Sequence, residues 1–188
     1  MAKARPTVEQ LRLEVEAQPE SSRAHLRLGT ALLELSATEA EKELQHALVL
    51  DPHCVEAWVN LGGVRMARMD FKGAVEANQR ALAVQPELTQ ARFNLGLGHL
   101  YLGQADEVVA CFEQVVTREP DSAPGHYYLA VGQLAQGRVD DARASLASAM
   151  ALGHKPPPEF LRALDKASGQ QGAVALEIEP GPNQGPAN

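Results

Sequence analysis

The chain has 188 residues with a net charge of −7, 22% charged residues and only 4% aromatics. No basic surface is available to counter phosphates, so binding along nucleic acid is disfavoured. Nowhere do about 18 apolar residues run together, and Met1-Ala2-Lys3-Ala4-Arg5-Pro6 leads into charged residues, so we expect no signal peptide, no membrane span and a cytoplasmic location.

Thr7 followed by Gln10 reads as a capping box, and Val8, Leu11 and Val15 form a helical stripe that Pro19 stops. Residues 1–20 are therefore expected to be an N-terminal capping helix. Beyond it the chain becomes periodic. Asn60-Leu61-Gly62 returns 34 residues later as Asn94-Leu95-Gly96, and Pro52, Pro86 and Pro120 keep the same step. A fixed period of this length means stacked helical hairpins rather than one closed core.

Within the period, Trp58-Val59-Asn60-Leu61-Gly62, Ala74, Ala81 and Pro86 fall at the offsets of a known signature, and the sequence resembles the tetratricopeptide repeat family. Leu28-Gly29, Ala40, Ala47 and Pro52 mark a first repeat; Leu95-Gly96, Phe112 and Pro120 mark a third. Leu129-Ala130, Ala142 and Ala149 mark a fourth, with His154 where a proline is expected. The resemblance implies an all-α, right-handed superhelical solenoid of antiparallel helix pairs. Small residues at the glycine and alanine positions let paired helices approach, and each proline ends a second helix.

Applied along residues 21–156, the offsets give four hairpins at about 22–54, 55–88, 89–122 and 123–156. Their helices are expected at 22–35 with 38–50, 55–68 with 71–84, 89–102 with 105–118 and 123–136 with 139–152. The first pair is one residue short, a deletion assigned to the turn near Ser36, and Gly103 and Gly137 mark later turns. Pro156-Pro157-Pro158 then breaks the chain. Residues 157–168 restart a helix with Phe160, Leu161 and Leu164, as a C-terminal cap.

Residues 169–188, rich in glycine and proline, are expected to be a flexible tail. Val174, Leu176 and Ile178 alternate within it as an apolar strip. The strip is either a frayed end or a docking segment for a groove or partner, which leaves a homo-oligomer through the tail open.

In arrays of the family, the first helices of successive hairpins line a concave face. That geometry places Leu26, Val59, Phe93 and Tyr127 on the inner wall, with Thr30, Gly63, Leu97 and Val131 beside them, unless some only pack neighbouring helices. One offset on, Arg27, Asn60, Asn94 and Tyr128 carry hydrogen-bonding groups. An amide both donates and accepts, so asparagines at hairpin spacing can grip the backbone of an extended peptide. Asn60 and Asn94 resemble the asparagine ladder of the repeat arm in O-linked N-acetylglucosamine transferase; the alternative is a bond to a neighbouring helix. The carboxylate clamp of chaperone-binding arrays matches poorly, since its positions read Leu26, Thr30, Asn60, Gln90 and Asn94. Within the second hairpin, Arg65 and Asn78 replace the usual Tyr and large apolar residue, and a structural pair is expected, with the guanidinium bonding the Asn78 amide or reaching solvent; the alternative is a polar contact to a partner.

Cys54 and Cys111 form no CxxC pair, and the six histidines are scattered, so no metal or cofactor is expected. Asp140-Asp141 suit a helix start, and no phosphate loop or nucleophile motif occurs. The chain therefore reads as a non-catalytic adaptor or scaffold that holds an extended segment of a protein partner. Two further roles stay open: self-assembly through the tail, and service as an accessory subunit or assembly chaperone of a larger enzyme complex.

Overall fold

The structure is a computed structural model describing residues 6–169, in which ten α-helices and no strand are found among the described residues. They are α1 (Val8–Ala17), α2 (Ser22–Leu32), α3 (Ala37–Leu50), α4 (Val55–Ala67), α5 (Phe71–Val84), α6 (Thr89–Tyr101), α7 (Ala105–Arg118), α8 (Ala123–Ala135), α9 (Val139–Ala151) and α10 (Pro158–Gly169). The chain is an all-α solenoid of consecutive helix pairs, divided into two compact units at Pro120 and Asp121. The tail strip of Val174, Leu176 and Ile178 lies outside the described residues.

Local sequence sets where the helices begin and end. Thr7 and Gln10 close the capping box of α1 reciprocally, satisfying two backbone N–H groups. Ser21, Ser36, Asp70 and Ser122 each accept a backbone N–H three residues on, at the starts of α2, α3, α5 and α8. Second helices α3, α5 and α7 stop at Asp51, Gln85 and Glu119, each immediately before a periodic proline. The helix expected over 22–35 ends earlier, at Leu32. Its carbonyl accepts from both the Leu35 and Ser36 backbone N–H groups and closes the chain into a turn.

In the first unit, α2 pairs with α3, α4 with α5 and α6 with α7, and each pair packs on the next. The glycine positions show why bulk is excluded. A Cβ on Gly29 would lie 2.9 Å from Leu44 Cγ, and one on Gly96 would lie 2.7 Å from Phe112 Cε2. Leu44 and Phe112 are completely buried; removing each side chain from water is worth about 1.5–3 kcal/mol. Ala40, Ala47, Ala74, Ala81, Val108 and Val115 are buried on the second helices. Helix α1 covers the open side of the first pair through Leu11 and is tied down by ion pairs from Arg27 to Glu14 and from Arg12 to Glu39.

The second hairpin departs from its neighbours. Asn78 occupies the position held by Leu44 and Phe112 elsewhere and is fully buried beneath Gly62. The expected bond to Arg65 does not form. Asn78 Nδ2 donates to Ala74 O at 2.8 Å and its Oδ1 is buried without a partner among the described residues. Arg65 instead donates through Nη1 to Gly73 O at 3.2 Å and through Nε to Glu41 Oε1 at 3.4 Å. Glu41 also accepts from Arg68 at 2.6 Å, so Arg65 of α4 and Arg68, which caps that helix's C-terminus, reach one carboxylate of α3.

In the second unit α8 pairs with α9, and α10 packs against both, burying Phe160, Leu164 and Ala167. Gly153, with φ of 90°, turns the chain after α9, and His154 occupies the place of the missing proline. Pro158 opens α10, where its lack of an N–H costs nothing.

Candidate functional site

An open groove of about 1030 Å³ lies wholly within the first unit. Its floor is built by α2 and α4, which present Leu26, Arg27, Thr30 and Ala31 beside Val55, Glu56, Val59 and Asn60. Pro6 and Leu11 close one side; Asp51, His53 and Cys54 come from the α3–α4 connection, and Gln85, Leu88 and Gln90 from the approach to α6. Spacing explains the alignment: residues three or four apart share one helix face.

Four residues singled out from the sequence, Leu26, Arg27, Val59 and Asn60, meet here, together with Thr30. Their surroundings differ. Leu26 is half-buried, whereas Val59 is only 8% exposed and packs largely into the core between hairpins. Arg27 donates to both carboxylate oxygens of Glu14 on α1, one at 2.6 Å, so its charge is already matched. Asn60 donates through Nδ2 to Thr30 Oγ1 at 2.9 Å, and Thr30 in turn donates to Leu26 O at 2.8 Å. That is a bond to a neighbouring helix, the alternative left open from the sequence. It uses one amide hydrogen, while Oδ1 has no partner among the described residues.

Phe93, Asn94 and Leu97 sit half-buried on α6 in the same unit but outside the lining of this groove. Phe93 meets Phe112 edge to face at 5.1 Å, a packing contact with the hairpin core. Asn94 makes no side-chain hydrogen bond among the described residues. By register its partner would come from Gly63, which has no side chain and has open space around it.

Tyr127, Tyr128 and Val131 belong to the second unit. Tyr127 stacks on His154 at 4.3 Å and meets Phe160 at 5.3 Å, so its ring serves the packing of α10 rather than an open wall. Burial pushes its hydroxyl up to about 12. Tyr128 lies edge-on to Tyr127 at 5.2 Å, and Val131 is 4% exposed and therefore core.

Sequence reasoning missed the acidic side of the groove, formed by Asp51 and Glu56. Both flank Cys54, whose thiol is pushed up mainly by burial and further by the charges of Glu56 and Asp51. Their signal was visible as two carboxylates bracketing a hairpin junction, but the family offsets pointed only to positions one or two residues before and two after each Leu of Leu-Gly, and neither residue stands there. Among the described residues no group of three His, Cys, Asp or Glu side chains is arranged to hold a metal, and no helix is long and apolar enough to cross a membrane.

Two profiles of the tetratricopeptide repeat match residues 36–92 and 99–167. The chain belongs to the tetratricopeptide repeat family. None of the curated proteins matches its sequence. A crystal structure of MamA is 21% identical, covering 87% of this chain and 90% of that one, with a TM-score of 0.72. A structure titled as the functional characterisation of Pseudomonas aeruginosa pilF is 22% identical over 86% of this chain and 75% of that one, with a TM-score of 0.71. At such identity the likeness is one of fold. The repeats themselves make this chain a protein-interaction scaffold, of a family that is generally non-catalytic.

Proposed function

We propose that the chain is an adaptor whose first unit holds an extended segment of a partner protein. The observation that carries this reading is the groove itself, which Asn60 lines beside an apolar floor, its amide oxygen without a partner among the described residues. An extended peptide offers a backbone N–H at every second residue on one side, which such an oxygen accepts without regard to side-chain identity. Asn94 stands one hairpin on by register, beyond the lining of this groove, with neither its donor nor its acceptor engaged among the described residues, and Leu26 supplies the apolar contact. Arg27, held by Glu14, shapes the wall without contributing a free charge.

The test uses peptides selected from a displayed random library against the full chain. Replacing Asn60 and Asn94 together by alanine is expected to weaken the selected peptides by about tenfold, equivalent to one or two net hydrogen bonds. Thermal unfolding should shift only slightly, reflecting the lost bond to Thr30. Unchanged affinity in the double variant would overturn the gripping role.

A further inference from the structure

The charges around the groove carry the reading further, to the chemistry of the partner; this step rests on the adaptor function proposed above. Arg27 is the cation of the lining, and Glu14 on α1 already faces it. The two carboxylates of the lining have no such match. Asp51 accepts the backbone N–H of His53 at 3.0 Å and Glu56 accepts from Cys54 Sγ at 3.9 Å in the first turn of α4, but neither has a cation within salt-bridge distance among the described residues. Both are exposed, both stand at the α3–α4 junction, and both face the same opening as Leu26 and Leu88. Apolar contact and carboxylates without a counter-ion among the described residues therefore line the same groove.

We infer that the groove takes an extended partner segment in which an apolar side chain is followed within one or two residues by Lys or Arg. The apolar group seats against Leu26 and Leu88, and the cation faces Asp51 and Glu56. An acidic segment is disfavoured by the same charges. That includes the chain's own strip of Val174, Leu176 and Ile178, which is interleaved with Glu177 and Glu179. Charge of this kind at an open rim acts on partner choice and association rate more than on raw affinity, and salt weakens it.

The experiment is a parallel selection of short random peptides displayed on phage, one arm against the full chain and one against the Asp51→Asn/Glu56→Gln double variant. Asparagine at position 51 keeps an oxygen for the His53 N–H, so the junction is preserved. Support would be enrichment of Lys or Arg close to an apolar residue in the first arm only, with those peptides binding the double variant about tenfold more weakly and losing that difference at high salt. Peptides that respond to Asn60→Ala/Asn94→Ala but are neutral or acidic, or bind both proteins equally, would overturn the charge inference and leave the adaptor reading standing. If no selected peptide responds to the asparagine substitutions, or none is selected, the adaptor reading falls first.

Discussion

Asn60 on α4 donates to Thr30 on α2 across 2.9 Å, joining the first two hairpins through side chains that both line the groove. One contact thus serves two levels. It ties adjacent hairpins together, and it leaves the Asn60 amide with its oxygen and its second N–H without a partner among the described residues. The next step of the array breaks the pattern, because Gly63 stands at the register of Thr30 and offers Asn94 no hydroxyl.

Gly63 therefore decides how much of the Asn94 amide is free. A Cβ there meets nothing within 4 Å, and glycine inside a helix costs up to about 1 kcal/mol relative to alanine. Gly63→Ala is expected to raise the unfolding free energy by about 0.5–1 kcal/mol with peptide affinity unchanged. Gly63→Thr should also stabilise, yet weaken peptide binding several-fold by giving Asn94 a competing partner. Chemical denaturation and fluorescence anisotropy on the two variants check both halves.

Asn78 predicts a gain in stability. It is fully buried, its Oδ1 lacks a partner, and Leu44 and Phe112 fill the corresponding place in the flanking hairpins. An unsatisfied buried acceptor costs about 1–3 kcal/mol. Asn78→Leu is expected to recover about 1–2 kcal/mol of that, because Leu44 already seats this side chain against a glycine in the same stance. Urea unfolding at unchanged slope would measure it; a loss of stability would show that the amide is needed for α5 to pack.

His154 gives the fold a dependence on pH. Its ring stacks on Tyr127 and its Nε2 is buried without a partner, and burial holds its pKa below the usual imidazole value of about 6.5. The unfolded chain then takes up the proton more readily than the folded one. Stability from this group is complete above about pH 6.5 and is lost as pH falls through the depressed folded value. His154→Phe keeps the stacking and removes the titration. The difference between the two melting temperatures should therefore be constant near pH 8 and widen below about pH 6.5, with the wild type falling faster.

What could be read from the sequence is what backbone mechanics dictates locally. Pro52, Pro86 and Pro120 end helices in any context, and Gly29 and Gly96 are demanded by the close approach of Leu44 and Phe112. Such features announced the succession of helical hairpins. The partners of polar side chains were less legible. Arg27 finds Glu14 only because α1 folds back over α2, and Arg65 turns from Asn78 to Glu41 because a neighbouring hairpin presents a carboxylate. Tyr127, expected on the inner wall, has His154 of the α9–α10 connection and Phe160 of α10 against its ring.

Met69 supplies the last prediction. It holds φ of 62° at the turn of the second hairpin, where the next two hairpins place Gly103 and Gly137 at 71° and 76°. A side chain in this left-handed region crowds its own carbonyl and costs roughly 1–2 kcal/mol, a penalty glycine avoids. The Met69 side chain offsets little of it by packing, being 69% exposed. Glycine also has more freedom to lose on folding, which removes part of the gain. Met69→Gly is therefore expected to stabilise the first unit by about 0.5–1 kcal/mol, read as a higher denaturation midpoint. Met69→Ala should give no such gain, because alanine keeps the Cβ that causes the clash; equal behaviour of the two variants would place the strain elsewhere.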